Sequence, residues 1–124
     1  MPKPEFTSSV AVRHLPEQSD AQTGQYAFAY TITIRNSGDM TAQLIARHWV
    51  ITDANGHVEE VRGLAVVGHQ PVLKPGETFE YTSWTRLATP HGTMRGTLFC
   101  MTADARPFEA PVREFGLTLG SALH

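Results

Sequence analysis

The segment Gln25–Ser37 reads QYAFAYTITIRNS and alternates without a break. Tyr26, Phe28, Tyr30, Ile32 and Ile34 fall on one side of a pleat, and Ala27, Ala29, Thr31, Thr33 and Arg35 on the other. Apolar residues at a spacing of two, most of them aromatic or β-branched, predict a long strand buried on one face. Such a face has to be covered by a second layer. Asn36-Ser37-Gly38-Asp39 ends the strand as a turn.

The rest of the chain supplies that layer as further strands. Thr41–Thr52 reads two ways. As a helix capped by Asp39, it would put Leu44, Ile45, His48 and Trp49 on one face. As a strand, it sets Ile45, Trp49 and Ile51 against Leu44, Ala46, His48 and Val50. The run Trp-Val-Ile-Thr and the neighbouring strands favour the second reading. Asp53-Ala-Asn-Gly56 gives a hairpin turn, and His57–Val61 returns as a short strand. Lys74-Pro75-Gly76-Glu77 turns into a strand over Thr78–Leu87. Pro90-His91-Gly92 separates it from Thr93–Ala103, where Met94, Gly96, Leu98 and Cys100 alternate with Arg95, Thr97, Phe99 and Met101. Asp104-Ala-Arg-Pro107 leads into a last strand through Phe108, Ala110 and Val112, ending near Phe115, Leu117 and Leu119. A first strand near Ser8–Leu15 and a polar loop over Pro16–Gly24 complete the chain. The expectation is all-β: a single antiparallel β-sandwich of seven to eight strands. At 124 residues it forms one domain over 1–124, with 1–6 and 120–124 as tails.

Charge and cysteine content exclude several functions. The net charge is −2, with no run of three basic residues, so no nucleic-acid backbone and no anionic membrane is expected as a partner. Cys100 is the only cysteine, which rules out an intramolecular disulfide and suits a reducing compartment. Met1-Pro-Lys-Pro-Glu-Phe6 lacks the apolar core of a signal peptide, and no run reaches the roughly 18 apolar residues of a membrane helix. The expected location is the cytoplasm.

The stretch Arg62-Gly-Leu-Ala-Val-Val-Gly-His-Gln-Pro71 is the one place that hints at ligand chemistry. A dinucleotide fingerprint fails there. Ala65 stands at the middle position, where backbone must approach the phosphates, and no helical pattern follows. A Walker loop fails for want of Gly-Lys-Ser/Thr. Two readings remain. Arg62, Gly63, Gly68 and His69 could form an anion-binding nest, or Gly63 and Gly68 could mark a bulge and a turn where sheet edges meet.

The six histidines, His14, His48, His57, His69, His91 and His124, show no metal-ligand spacing, so no metal is expected. His48 reads as a strand residue with a satisfied ring nitrogen, and His124 as a terminal residue. Cys100 reads as a buried, inert thiol. Glu59 and Glu60 point to opposite faces of a strand and cannot work as a pair. Trp49 and Trp84 read as inter-sheet core, although an exposed tryptophan would be a natural interface anchor. With no nucleophile, base or metal set, neither an enzyme nor a cofactor is expected.

The pieces RHWVITDANG (47–56), VRGLAVVGHQPVLKPGETFEYTSW (61–84), TPHGTMRGTLFCM (89–101) and FEAPVREFGLTL (108–119) together resemble the ApaG family. The resemblance implies a sandwich of fibronectin type III or immunoglobulin-like topology. It implies no defined activity. Bacterial members are linked by name to cobalt and magnesium efflux or tolerance, and similar domains in eukaryotic F-box and polymerase-interacting proteins serve as protein-interaction modules. The family's Gly-x-Gly-x-x-Gly stretch maps onto Gly63, Ala65 and Gly68, so this chain departs from it at the middle glycine. The functional expectation is a non-enzymatic binding module that acts through a protein partner. The alternative is a nucleotide- or pyrophosphate-sensing domain that uses the Gly63–Gly68 loop. Homodimerisation through an edge strand stays open. An exposed apolar patch around residues 62–71 would support the interaction module, and a uniformly polar surface there would count against it.

Overall fold

A computed structural model describes residues 3–119. Eight strands follow in chain order: β1 Phe6–His14, β2 Tyr26–Asn36, β3 Ala42–Asp53, β4 Val58–Leu64, β5 Val72–Leu73, β6 Thr78–Leu87, β7 Gly92–Thr102 and β8 Pro107–Leu117. All pairings are antiparallel. One sheet has the order β1-β2-β6. The other runs β4-β3-β7-β8, with β5 paired to the start of β3. The two sheets stack as an open sandwich. No helix among the described residues is long and apolar enough to cross a membrane.

The alternation in β2 places Phe28, Tyr30, Ile32 and Ile34 in the core, beside Tyr81 and Leu87 of β6. The facing sheet contributes Leu44, Trp49, Ile51, Met94, Leu98, Ala110, Val112 and Leu117. Trp49 meets Tyr30 edge-on, with ring centroids 6.0 Å apart, a favoured geometry for two aromatic quadrupoles.

Several expectations are corrected. In β3, simple alternation separates Leu44 from Trp49, yet both are buried. The register against β7 shifts between Leu44 and Ala46, so Ile45 is an inserted residue that brings Leu44 onto the Trp49 face. A second shift between Met94 and Gly96 lets β8 bury Val112 and Phe115 on one side, three residues apart. The return strand does not stop at Val61 but runs to Leu64, and Gly63 sits within its unbroken register opposite Arg47. Gly63 is therefore not a bulge. Trp84 is not core either. It is 58% exposed on the outer face of the three-stranded sheet, with the Arg86 guanidinium 5.4 Å from its ring centroid. Tyr81 and Leu87 claim the inward parity of β6, which turns Trp84 out.

Of the segment 1–6 expected to be a tail, Phe6 is buried in β1. Ser37 and Gly38 each donate an N–H to the Glu5 carbonyl at 3.0 Å. Residues 120–124, including His124, lie outside the described residues.

Cys100 is buried, and burial pushes its thiol up to about 12. Burial also raises the Tyr30 and Tyr81 hydroxyls above their ordinary value. All three groups are held protonated more tightly in the folded chain than in the unfolded one. Their contribution is complete below the ordinary thiol value of roughly 9 and is lost as pH rises above it. The melting temperature should therefore be insensitive to these groups up to about pH 9 and fall above it. Thiol reagents at about pH 8 should label Cys100 only as fast as the chain unfolds.

Candidate interaction surface

Residues 65–71 connect β4 to β5, and the bulge at Ile45 is what they are tied to. The Ile45 carbonyl accepts the Ala65 N–H at 2.8 Å and the Gln70 Nε2 at 2.9 Å. Arg47 adds a second tie, its Nη1 donating to the carbonyls of Leu64 and Ala65, both at 2.9 Å. That guanidinium lies so close over Gly63 that a Cβ there would sit 2.8 Å from Nη1. Glycine at 63 leaves room for the arginine.

Val66 and His69 exchange both backbone hydrogen bonds, Val66 N–H to His69 at 2.8 Å and His69 N–H to Val66 at 2.9 Å. Val67 and Gly68 between them have φ of 49° and 80°. Positive φ at both central residues is the signature of a type I′ hairpin turn, which favours Asn-Gly. Valine there is a β-branched outlier. Val66 is fully buried and anchors the loop, whereas Val67 is exposed at its tip. Backbone strain of this kind costs on the order of 1–3 kcal/mol and collects at functional positions. Val67→Asn should relieve it and raise stability by about 1 kcal/mol in chemical denaturation. A destabilised variant would show that the turn carries no strain at Val67.

The four residues expected to form a nest fall into two pairs. Arg62 stands on the outer face of β4, with its Nη2 3.4 Å from Glu60 Oε1. His48, on the adjacent strand, also reaches Glu60 Oε1, at 2.7 Å from its Nε2. The His48 hydrogen bond is the main reason the Glu60 carboxyl is held below the usual carboxylate range. Gly68 is in the tip turn, and the His69 ring rests on Phe79 of the other sheet, centroids 5.6 Å apart. Arg62 and His69 thus engage different sheets. The N–H groups of Ala65, Val66 and His69 are already donated within the protein. His57, His69 and His91 lie in separate connections, and among the described residues no three His, Cys, Asp or Glu come together to hold a metal ion.

The five-stranded sheet instead presents apolar surface to solvent. Its outward residues form two adjacent rows. Leu64 lies opposite Ala46, Ala46 opposite Phe99, and Phe99 opposite Glu109. Val72 lies opposite Gln43, Gln43 opposite Met101, and Met101 opposite Pro107. Leu64 is 73% exposed, Val72 58% and Val67 55%. Ala46, His48, Arg62, Leu64 and Phe99 help line a shallow depression of about 290 Å³ beside the first row. Sequence reasoning points to this loop for its glycines. The residues that stand out in the structure are its aliphatic side chains, and the signal for them is parity: Leu64 shares the outward side of β4 with Arg62 and Glu60.

The fold thus defines an eight-stranded open β-sandwich with exposed aliphatic residues on the outer side of its larger sheet. The chain belongs to the ApaG family: the ApaG domain model matches residues 16–102. Protein ApaG of Ralstonia nicotianae is 60% identical over 124 residues, covering all of both chains. A Bordetella pertussis protein described as ApaA has a crystal structure similar to this one, with a TM-score of 0.92 and 55% identity over 96% of this chain and 97% of that one. An X-ray structure of another structural-genomics target matches with a TM-score of 0.90 and 40% identity, over 97% of this chain and 91% of that one.

Proposed function

We propose that the protein is a non-enzymatic interaction module whose partner is another protein, bound on the outer face of the five-stranded sheet and the tip of the β4–β5 loop. The observation that carries this reading is the exposed aliphatic group Leu64, Val67 and Val72. Leu64 shares its depression with the half-buried Phe99 and with Arg62 and His48. An apolar centre with a polar rim is the anatomy of a protein-binding patch. The strained turn supports it too, because the strain holds an apolar side chain at an exposed tip. The module acts in the cytoplasm, and any effect on cobalt or magnesium tolerance runs through the partner.

A photo-crosslinking side chain placed at Leu64 tests this. It should yield a discrete protein adduct in cells, while the same group at Thr31, on the outer face of the other sheet, should not. Equal labelling at both positions would refute the assignment of the face. Titration with pyrophosphate or ATP should leave the backbone amides of Gly63–His69 unmoved. Saturable shifts there would replace the protein-partner reading with a phosphate-ligand one.

A further inference from the structure

Strand β4 is the outer edge of its sheet, hydrogen-bonded to β3 on one side and, among the described residues, to no strand on the other. Unpaired edges invite another strand unless something blunts them. The opposite edge of the same sheet is blunted: β8 carries Pro107 and Pro111 and runs beside β1. β4, Val58-Glu-Glu-Val-Arg-Gly-Leu64, has no proline and no lysine.

Its sequence is also complementary to itself. Laid antiparallel on a second copy about Val61, Glu60 faces Arg62, Glu59 faces Gly63 and Val58 faces Leu64, each pair occurring twice by symmetry. Directly opposed residues share a face of the sheet, so a symmetric pairing can be recentred only on another residue of the strand. Centring on Glu60 sets that carboxylate against its own copy, and centring on Arg62 does the same to the guanidinium. Only the Val61 register joins opposite charges. The four outward side chains it pairs are all exposed, and cross-strand pairs of this kind stabilise a sheet.

We propose that two copies of this chain pair through β4 in that register, fusing their five-stranded sheets into one continuous sheet about a two-fold axis at Val61. The pairing uses the edge of the sheet, and three of the side chains it aligns, Glu60, Arg62 and Leu64, also belong to the partner-binding face proposed above. A seven-residue strand contributes less than the roughly 20–30 residues a side of a standard interface, so the dimer is weak and depends on concentration.

Sedimentation equilibrium of the full chain tests this, with the charge variants Glu60→Arg and Arg62→Glu. The wild-type mass should rise towards two chains between about 10 μM and 1 mM, the range of a weak complex. Each single variant should self-associate at least about tenfold more weakly, since like charges then oppose one another on both sides of the axis. An equimolar mixture of the two should recover the dimer. One variant then carries a cation at both positions 60 and 62 and the other a carboxylate at both, so every contact across the axis joins opposite charges. Recovery in the mixture also shows that both variants are folded. A wild-type mass of one chain at about 1 mM would overturn the proposal. So would single variants that dimerise as well as wild type, which would move the contact elsewhere, for instance to the β6 edge, where Glu80 and Arg86 are spaced evenly about Ser83. A mixture that fails to recover the dimer would overturn it as well.

Discussion

Replacing Asn36 by alanine is expected to cost about 4 kcal/mol of stability. The residue is 1% exposed at the end of β2. Its Nδ2 donates to the carbonyls of Met40 and Leu73, both at 2.8 Å, and its Oδ1 accepts the Gly38 N–H at 3.0 Å. One side chain therefore satisfies two carbonyls and an amide at the point where the β2–β3 turn, β5 and the β5–β6 turn converge. Each buried polar group left without a partner costs roughly 1–3 kcal/mol. Asn36→Asp separates bonding from packing, since it keeps the shape and the Gly38 bond but turns an acceptor towards two carbonyls. Both variants should lower the denaturation midpoint, with Asp at least as harmful as Ala. An Asp variant as stable as wild type would show that the amide bonds contribute little.

Gly96→Ala should be nearly as damaging, by about 3 kcal/mol or on the order of 10 °C in melting temperature. Gly96 lies opposite Trp49 in the β3–β7 ladder. A Cβ there would stand 2.8 Å from Trp49 Cζ3, and closer still to Cε3 and to the His48 carbonyl. The indole fills the space a side chain would need. It cannot retreat, because Tyr30 closes its other side and it is almost wholly buried. The backbone carbonyl cannot move without breaking the ladder. Tryptophan fluorescence and near-ultraviolet circular dichroism should shift along with the melting point, since the strain falls on Trp49 itself. A Gly96→Ala variant that melts like wild type would contradict this packing.

Much of the fold is legible in the sequence because β2 alternates without interruption and turn residues punctuate the chain. The failures have separate causes. Simple alternation sends Leu44 and Trp49 to opposite faces, because a bulge adds a residue without leaving any mark in the hydrophobic pattern. Size alone sends Trp84 to the core, against a parity already visible in Phe79, Tyr81, Glu80 and Thr82. Gly63 reads as a ligand loop or a bend, since nothing in sequence shows that Arg47, 16 positions earlier, will lie over it. Two-residue β5 is too short for any period to register. The loop's chemistry is hidden because the N–H groups of Ala65, Val66 and His69 are donated to the carbonyls of Ile45, His69 and Val66, contacts that form only once the sheet has formed.

Leu64 and Val72, on the outer side of the five-stranded sheet, are proposed above to bind the protein partner. Quantitative co-purification from cells, comparing wild type with the folded double variant Leu64→Glu/Val72→Glu and with Thr31→Glu on the other sheet, tests this assignment most directly. The bound protein should be lost from the double variant and kept at the wild-type level by Thr31→Glu. Retention of the same protein by the double variant would contradict it.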